Sequence, residues 1–294
     1  MTDWQTITKA VAAATGARID SASPRAVGGG CINATWRLGQ GANSCFVKTN
    51  RAALLPMFEA EMAGLEEILR ADAIRAPRPL CCGIAGDSAF LALEYIEFGR
   101  GGGSAAGLLG RQLAGMHRFT APCFGWRLDN TIGSTPQRNT ESDDWIEFWR
   151  ERRLGFQLAL AAENGHLGAL QRHGERLMAE LEHFFSDYRP LPSLLHGDLW
   201  GGNFSADRDG RPVIFDPAVY YGDREADIAM TELFGGFGRA FYAAYNEAWP
   251  LDPGYAVRKT LYNLYHILNH LNLFDSGYLG QAERMLGQLL GELN

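Results

Sequence analysis

Lysine is almost absent from this chain: Lys9, Lys48 and Lys259 are the only three, and arginine supplies the other 24 of its 27 basic residues. Chemistry that needs a primary amine therefore has few places to reside. Cysteine is also sparse. Cys31, Cys45, Cys81, Cys82 and Cys123 are odd in number and form no Cys-x-x-Cys pair, which argues for reduced thiols and against a disulfide scaffold or a zinc site. There is no basic excess. The 27 basic and 34 acidic residues leave a net charge of −7, with no electrostatic footprint for nucleic acid or an anionic membrane, so a small-molecule partner is expected. No run of about 18 apolar residues is available to span a bilayer. The start, Met1-Thr2-Asp3-Trp4, lacks the basic and apolar regions of a signal peptide, and a cytoplasmic location is expected. Two catalytic signatures are missing as well: Gly-Lys-Ser/Thr, which excludes a Walker-type loop, and the Gly-x-Ser-x-Gly elbow of serine hydrolases. His266 and His270 have a zinc-like spacing, but Ile267 stands where a protease needs glutamate and no third ligand is evident, so packing or hydrogen bonding is expected of them.

What the chain does have is enough apolar material, 46% of 294 residues, for one large core or two modest ones. Its first hundred residues read as mixed α and β. Thr6–Ala14 is a short helix candidate, Ala34–Leu38 and Cys45–Lys48 are strands around a turn at Gly39–Asn43, and Ala89–Leu93 is a further strand. Phe58, Met62, Leu65 and Leu69 recur at helical spacing. The glycine-rich stretch Gly99–Ser104 then breaks the pattern and places a boundary between an N-terminal lobe, 1–98, and a mostly helical C-terminal lobe, 99–294. Near the end, Val257, Leu261, Leu264, Leu268 and Leu271 mark a long amphipathic helix.

The densest chemistry lies in His196-Gly197-Asp198-Leu199-Trp200-Gly201-Gly202-Asn203 and Val213-Ile214-Phe215-Asp216-Pro217. Asp198 and Asn203 are five residues apart, the spacing of a phosphoryl-transfer loop in which the aspartate takes the acceptor hydroxyl proton and the asparagine ligates Mg²⁺. Asp216 follows a β-branched and aromatic run that reads as a buried strand, so its carboxylate emerges at a strand end as a second hard oxygen ligand. Lys48 closes a strand, as does the lysine that pairs the α- and β-phosphates with a helix glutamate in kinases. Of Glu59, Glu61, Glu66 and Glu67, only Glu61 projects from the Phe58/Leu65 face; Glu59 and Glu66 lie toward its edge and Glu67 points away. An inward carboxylate must either meet a cation or be protonated, and Glu61 is the candidate partner of Lys48. Gly28, Gly29 and Gly30, with Cys31-Ile32-Asn33, precede a strand upstream of Lys48, where a phosphate-covering turn would stand, although Asn33 replaces the third glycine of Gly-x-Gly-x-x-Gly.

Taken together, Gly28–Asn33, Lys48 with Phe58–Leu65, Asn130-Thr131-Ile132-Gly133-Ser134-Thr135-Pro136-Gln137, Asp144-Trp145 with Arg153-Leu154, His196–Asn203, Phe215–Ala218, Tyr220–Asp227 and Leu264–His270 resemble the fructosamine kinase family, the ketosamine 3-kinases. The resemblance covers nearly the whole chain. The Asn-Thr-Ile-Gly and Leu-Tyr-His blocks narrow it from the wider set of aminoglycoside and choline phosphotransferases. It implies an α+β, bilobal protein-kinase-like fold and ATP- and Mg²⁺-dependent phosphorylation of the 3-hydroxyl of free or protein-bound ketosamines, a deglycation repair. It also implies adenine against Glu94, Tyr95 and Ile96, phosphates under Gly28–Gly30 and on Lys48, Mg²⁺ on Asn203 and Asp216, and Asp198 as the base. Trp200 either stacks on the sugar or packs as a core aromatic. Asp223 stands where the family commonly has histidine, and Pro217 replaces the mobile phenylalanine of a protein-kinase activation segment. Two other readings are an aminoglycoside- or choline-type kinase and a nucleotide-binding module without turnover. Cys31, beside phosphate-binding amides and Lys48, is expected to be an oxidisable switch, through a mixed disulfide or a Cys31–Cys31 bridge linking two copies, or else a small residue that fits the turn.

Overall fold

A computed structural model of the chain describes residues 2–16, 19, 24–28, 32–99 and 103–293. Two compact units emerge: Met1–Ala105 with Phe204–Pro217, and Ala106–Asn203 with Ala218–Asn294. The first opens on helix α1 (Trp4–Thr15), whose first turn is capped by the Asp3 carboxylate accepting from the N–H groups of Gln5 and Thr6. Strands β1 (Arg25–Ala26), β2 (Ala34–Leu38) and β3 (Cys45–Arg51) lead to helix α2 (Leu55–Arg70), then β4 (Pro79–Ala85) and β5 (Ser88–Glu94). The five strands form one antiparallel sheet in the order β1-β2-β3-β5-β4. Side chains alternate across a strand, so Val47 joins Ile7, Val11, Leu38 and Phe90 in a closed core while Lys48 faces the other side.

The strand at Pro79–Ala85 was not marked by alternation, because Cys81, Cys82 and Gly83 carry no hydrophobic period. Helix α2 begins three residues ahead of its apolar repeat, since Pro56 suits a first helical turn. It is buried over a wider arc than the Phe58/Leu65 stripe, with Ala60, Ala63 and Gly64 also inside. Glu67 is therefore buried rather than turned to solvent, and pairs with Arg70 at 2.5 Å.

The second unit begins in helix α3 (Gly103–His117) and continues through a hairpin of β6 (Asn130–Ile132) and β7 (Thr135–Gln137). A continuous helical run follows: α4 (Trp145–Phe148), a π-helical turn over Trp149–Gly155 and α5 (Phe156–Glu163), then α6 (Ala169–Ala179) and β8 (Ser193–Leu195). The hairpin of β9 (Phe204–Ala206) and β10 (Pro212–Ile214) belongs to the first unit, where Ile214 donates its N–H to Arg75 and Gly99 to Ala206. Strand β11 (Tyr220–Gly222) returns to the second unit and pairs with β8, Tyr220 opposite Leu195. Helices α7 (Arg224–Leu233), α8 (Arg239–Ala248), α9 (Tyr255–Phe274) and α10 (Leu279–Gly291) complete the chain, with α9 packed against α5, α7 and α10. No helix among the described residues is long and apolar enough to cross a membrane.

The amphipathic pattern expected around Val257–Leu271 is α9, and Leu261, Leu264, Leu268 and Leu271 are buried in it. It also buries His266, whose pKa burial, with His270 and Arg153 adding, pulls down to about 3. His117 and His270 are likewise lowered by burial. A histidine held neutral in the fold contributes stability that is complete above its unfolded pKa near 6.5 and is lost as pH falls toward the folded value. Buried Glu61, Asp223 and Glu225, whose pKa values burial raises, oppose this by taking up protons on folding. His266→Gln should therefore flatten the dependence of the unfolding free energy, measured by urea titration, on pH below 6.5 by about one proton, or ~1.4 kcal/mol per pH unit. An unchanged slope would show that His266 is already protonated in the native state.

Candidate active site

In the first unit, β3, α2 and the end of β10 bring three charged side chains together. Lys48 Nζ lies 2.5 Å from Glu61 Oε1 and 2.7 Å from Asp216 Oδ1, with the Lys48 and Glu61 side chains only 4% and 10% exposed. Burial alone would lower the lysine pKa, but the carboxylates of Asp216 and Glu61 hold it above its ordinary value, so the ammonium is retained. Burial raises Glu61, aided by Asp216 and opposed by Lys48. Glu61 thus meets Lys48 as its helical position predicts, and Glu59, Glu66 and Glu67 do not.

Asp216 adopts a left-handed backbone (φ 58°), a conformation aspartate tolerates better than most residues and one often kept at functional sites. Phe215 before it stacks on Phe98 with ring centroids 5.4 Å apart. Its carboxylate is 44% exposed, and among the described residues only Oδ1 is engaged, by Lys48. Gly28 sits in a bend beyond β1; Gly29, Gly30 and Cys31 lie outside the described residues. The linker side chains are occupied locally. Glu94 binds Arg75 and the N–H of Arg78, and Arg37 lies over the Tyr95 ring at 4.3 Å, so any nucleotide contact by Glu94 would fall to its backbone.

In the second unit, β8 ends in the loop His196–Asn203. Gly197 takes φ 82°, and a Cβ there would stand 2.0 Å from the carbonyl oxygen of Ala218, so only glycine fits. Asp198 and Asn203 are joined across the loop: the Asn203 amide nitrogen donates to the Asp198 backbone oxygen at 2.8 Å and to Oδ2 at 3.1 Å. Trp200 is 40% exposed and its ring covers Gly202, so it is not a core aromatic.

The residue holding this loop is one to which the sequence reading gave no role of its own. Asp227, in α7, accepts the backbone N–H of His196 at 2.7 Å and of Gly197 at 2.8 Å. His117 Nε2 approaches the same carboxylate at 3.2 Å, and Tyr245 Oη binds His117 Nδ1 at 2.8 Å. Burial pushes the Asp227 carboxyl up, but the bond from His117 and the backbone amides more than offset it and hold its pKa below the ordinary value. Asp223 has a structural place: fully buried, it caps α7 through the N–H of Glu225 and accepts the hydroxyls of Tyr188 at 2.9 Å and Tyr262 at 2.5 Å.

The Asn130–Gln137 block is the β6–β7 hairpin, and its polar side chains bolt it to the segment after Asp216-Pro217. Asn130 donates to the Val219 carbonyl and Gln137 to that of Ala218, at 2.8 and 3.0 Å, while Tyr265 donates to Gln137. Arg153 completes the lattice through Asn139, its guanidinium buried between the rings of Phe148 and Tyr220. His270 donates Nδ1–H to the His266 carbonyl at 2.8 Å, the hydrogen-bonding role expected of that pair. No group of His, Cys, Asp or Glu able to hold a metal ion by itself occurs among the described residues. Cys45, Cys81, Cys82 and Cys123 are free thiols, with burial raising Cys45 to about 12 and Cys81 to about 11.

A sheet-bearing unit with a buried lysine–glutamate pair and a helical unit with an aspartate–asparagine loop define a protein-kinase-like phosphotransferase fold. An aminoglycoside phosphotransferase superposes with a TM-score of 0.64 at 13% identity, covering 98% of this chain and 97% of its own, a likeness of fold alone. The chain belongs to the fructosamine kinase family, whose model matches residues 3–292. It is 47% identical over 288 residues to a probable ketoamine kinase of Synechocystis, covering 98% of this chain and 97% of that one. It is 46% identical over 267 residues to the chloroplastic protein-ribulosamine 3-kinase of Arabidopsis thaliana, covering 90% and 81%. The crystal structure of a putative fructosamine-3-kinase from Haemophilus somnus matches with a TM-score of 0.88 at 29% identity, covering 98% of each chain.

Proposed function

We propose that this protein is an ATP-dependent kinase acting on the 3-hydroxyl of ketosamines, free or protein-bound, in a deglycation repair carried out in the cytoplasm. What carries the reading is the likeness, over nearly the whole chain, to a ketoamine kinase and a ribulosamine 3-kinase. The retained side chains support it. Asp198 accepts the proton of the attacking hydroxyl, and the bond from Asn203 to its Oδ2 orients the carboxylate for that task. Lys48, its charge secured by Glu61, neutralises the α- and β-phosphates.

The donor set fits Mg²⁺. The Asn203 amide nitrogen is spent on Asp198, which leaves its carbonyl oxygen as the ligand, and Asp216 keeps a second, exposed carboxylate oxygen, two hard donors suited to a small divalent cation. When bound, the ion would offset the negative charge that develops on the phosphates. Positioning is the larger part of the protein's work, and Asp227 supplies it by fixing the backbone on which Asp198 stands.

A panel of acceptors tests the assignment. With ATP and Mg²⁺, kcat/KM for a ribulosamine or fructosamine should exceed that for any aminoglycoside or for choline. Preference for either of the latter would move the protein to another branch of the fold, and nucleotide binding without acceptor-dependent turnover would make it a regulatory module.

A further inference from the structure

Three of the exposed large apolar side chains form one connected row rather than scattered contacts. Trp200, Phe234 and Phe274 are 40%, 38% and 53% exposed. Trp200 meets Phe234 edge to face with centroids 6.4 Å apart, and Phe234 lies 4.8 Å from His270. His270 in turn contacts Phe274 at 5.5 Å and Tyr278 at 5.2 Å. All five belong to the second unit, and contiguous exposed rings mark a binding surface more often than isolated ones do.

The row starts in the Asp198 loop and ends at the last turn of α9. Tyr265, in the same helix, stands close enough to Asp198 to feel its charge. From Tyr265 to Phe274 the helix advances nine residues, about 13 Å. The tip of the β6–β7 hairpin rests on this last turn too, since a Cβ on Gly133 would come within 3.0 Å of Leu273 Cδ1. Asp275 is the only charged residue beside any of the five in sequence. His270 is kept neutral by burial, and because its Nδ1–H is given to the His266 carbonyl, Nε2 is left as an acceptor.

A ketosamine carries a secondary amine, protonated at neutral pH, four bonds from its 3-hydroxyl oxygen. At about 1.5 Å per bond, a hydroxyl held at Asp198 puts this nitrogen roughly 5 Å away, within reach of the Trp200 end of the row. Resting on the ketosamine reading above, we propose that the row from Trp200 through Phe234 to Phe274 is the subsite for the amine half of the substrate. The ammonium lies over the ring faces at Trp200 and Phe234, and the carbon chain that bears it runs toward Phe274 and Tyr278. The surface would then select for cationic amines carrying an extended alkyl arm, such as a glycated lysine side chain, over the bare sugar.

The test uses two acceptors with one sugar, 1-deoxy-1-butylamino-ribulose and its N-acetyl derivative, which has the same arm and no charge. Wild type should favour the amine. Phe234→Leu should raise KM for the amine by roughly 3- to 30-fold, the range of a cation–π contact, with the loss in KM rather than kcat, and the N-acetyl compound should respond several-fold less. Phe274→Ala, at the position the carbon chain meets, should raise KM for both acceptors. Unchanged KM values in both variants, or equal losses on the two acceptors in Phe234→Leu, would overturn the subsite while leaving the ketosamine reading intact. Failure of wild type to phosphorylate either acceptor would overturn that reading and the subsite with it.

Discussion

Asp198→Asn is expected to lower kcat by ~10²-fold or more, the usual scale for losing a general base, with the affinity for nucleotide nearly unchanged. The loop should survive the change, because what holds it is backbone: His196 and Gly197 N–H on Asp227, and the Asp198 carbonyl oxygen accepting from Asn203. Only the proton acceptor is lost. Asp216→Asn should act differently. Its carboxylate is bound to Lys48 on one oxygen and open on the other, so neutralising it weakens the hold on Mg²⁺-nucleotide before it touches the acceptor. The two variants should therefore separate, one in kcat at normal nucleotide binding and one in the KM for Mg-ATP, read from initial rates with both substrates varied. Equal loss of nucleotide affinity with comparable turnover would refute this division of roles.

Lys48 and Glu61 should prove strongly coupled. Lys48→Met strands the buried Glu61 carboxylate beside that of Asp216, and Glu61→Gln leaves the ammonium to Asp216 alone. Either change removes most of what the other would. In a double-mutant cycle on kcat/KM, the double variant should fall short of the summed single losses by about 1–3 kcal/mol, the range for residues in direct ionic contact. Additivity within about 0.5 kcal/mol would mean that Glu61 does not act through Lys48.

The legible part of this site was the part written locally. Asp198 and Asn203 declare themselves by a five-residue spacing, Asp216 by the strand before it, Lys48 by the scarcity of lysine, and Glu61 by its place on a helical wheel. What escaped was written across the chain. Asp227 meets the loop some thirty residues away and His117 joins it from α3, 110 residues earlier in sequence, and no short-range period encodes either contact. The β9–β10 hairpin follows the Asp198 loop in sequence yet packs with the N-terminal sheet through Arg75 and Gly99, a partition decided by tertiary contacts rather than composition. Glu67 misled because small residues widened the buried face of α2 and Arg70 supplied a partner. The mixed first lobe and helical second lobe were readable from strand and helix patterns and the kinase-like fold from the family resemblance, whereas the lattice of Asn130, Gln137, Asn139 and Arg153 could be recognised only as a block of sequence.

The central claim is the transfer of phosphate to one particular hydroxyl. The most direct measurement is NMR of the product formed from a ribulosamine, ATP and Mg²⁺, with phosphorus–carbon coupling used to locate the new ester. The account predicts one ADP released per ketosamine consumed and phosphate on the oxygen of C3 alone. ADP release that does not depend on the ketosamine, or phosphate on any other hydroxyl, would contradict it.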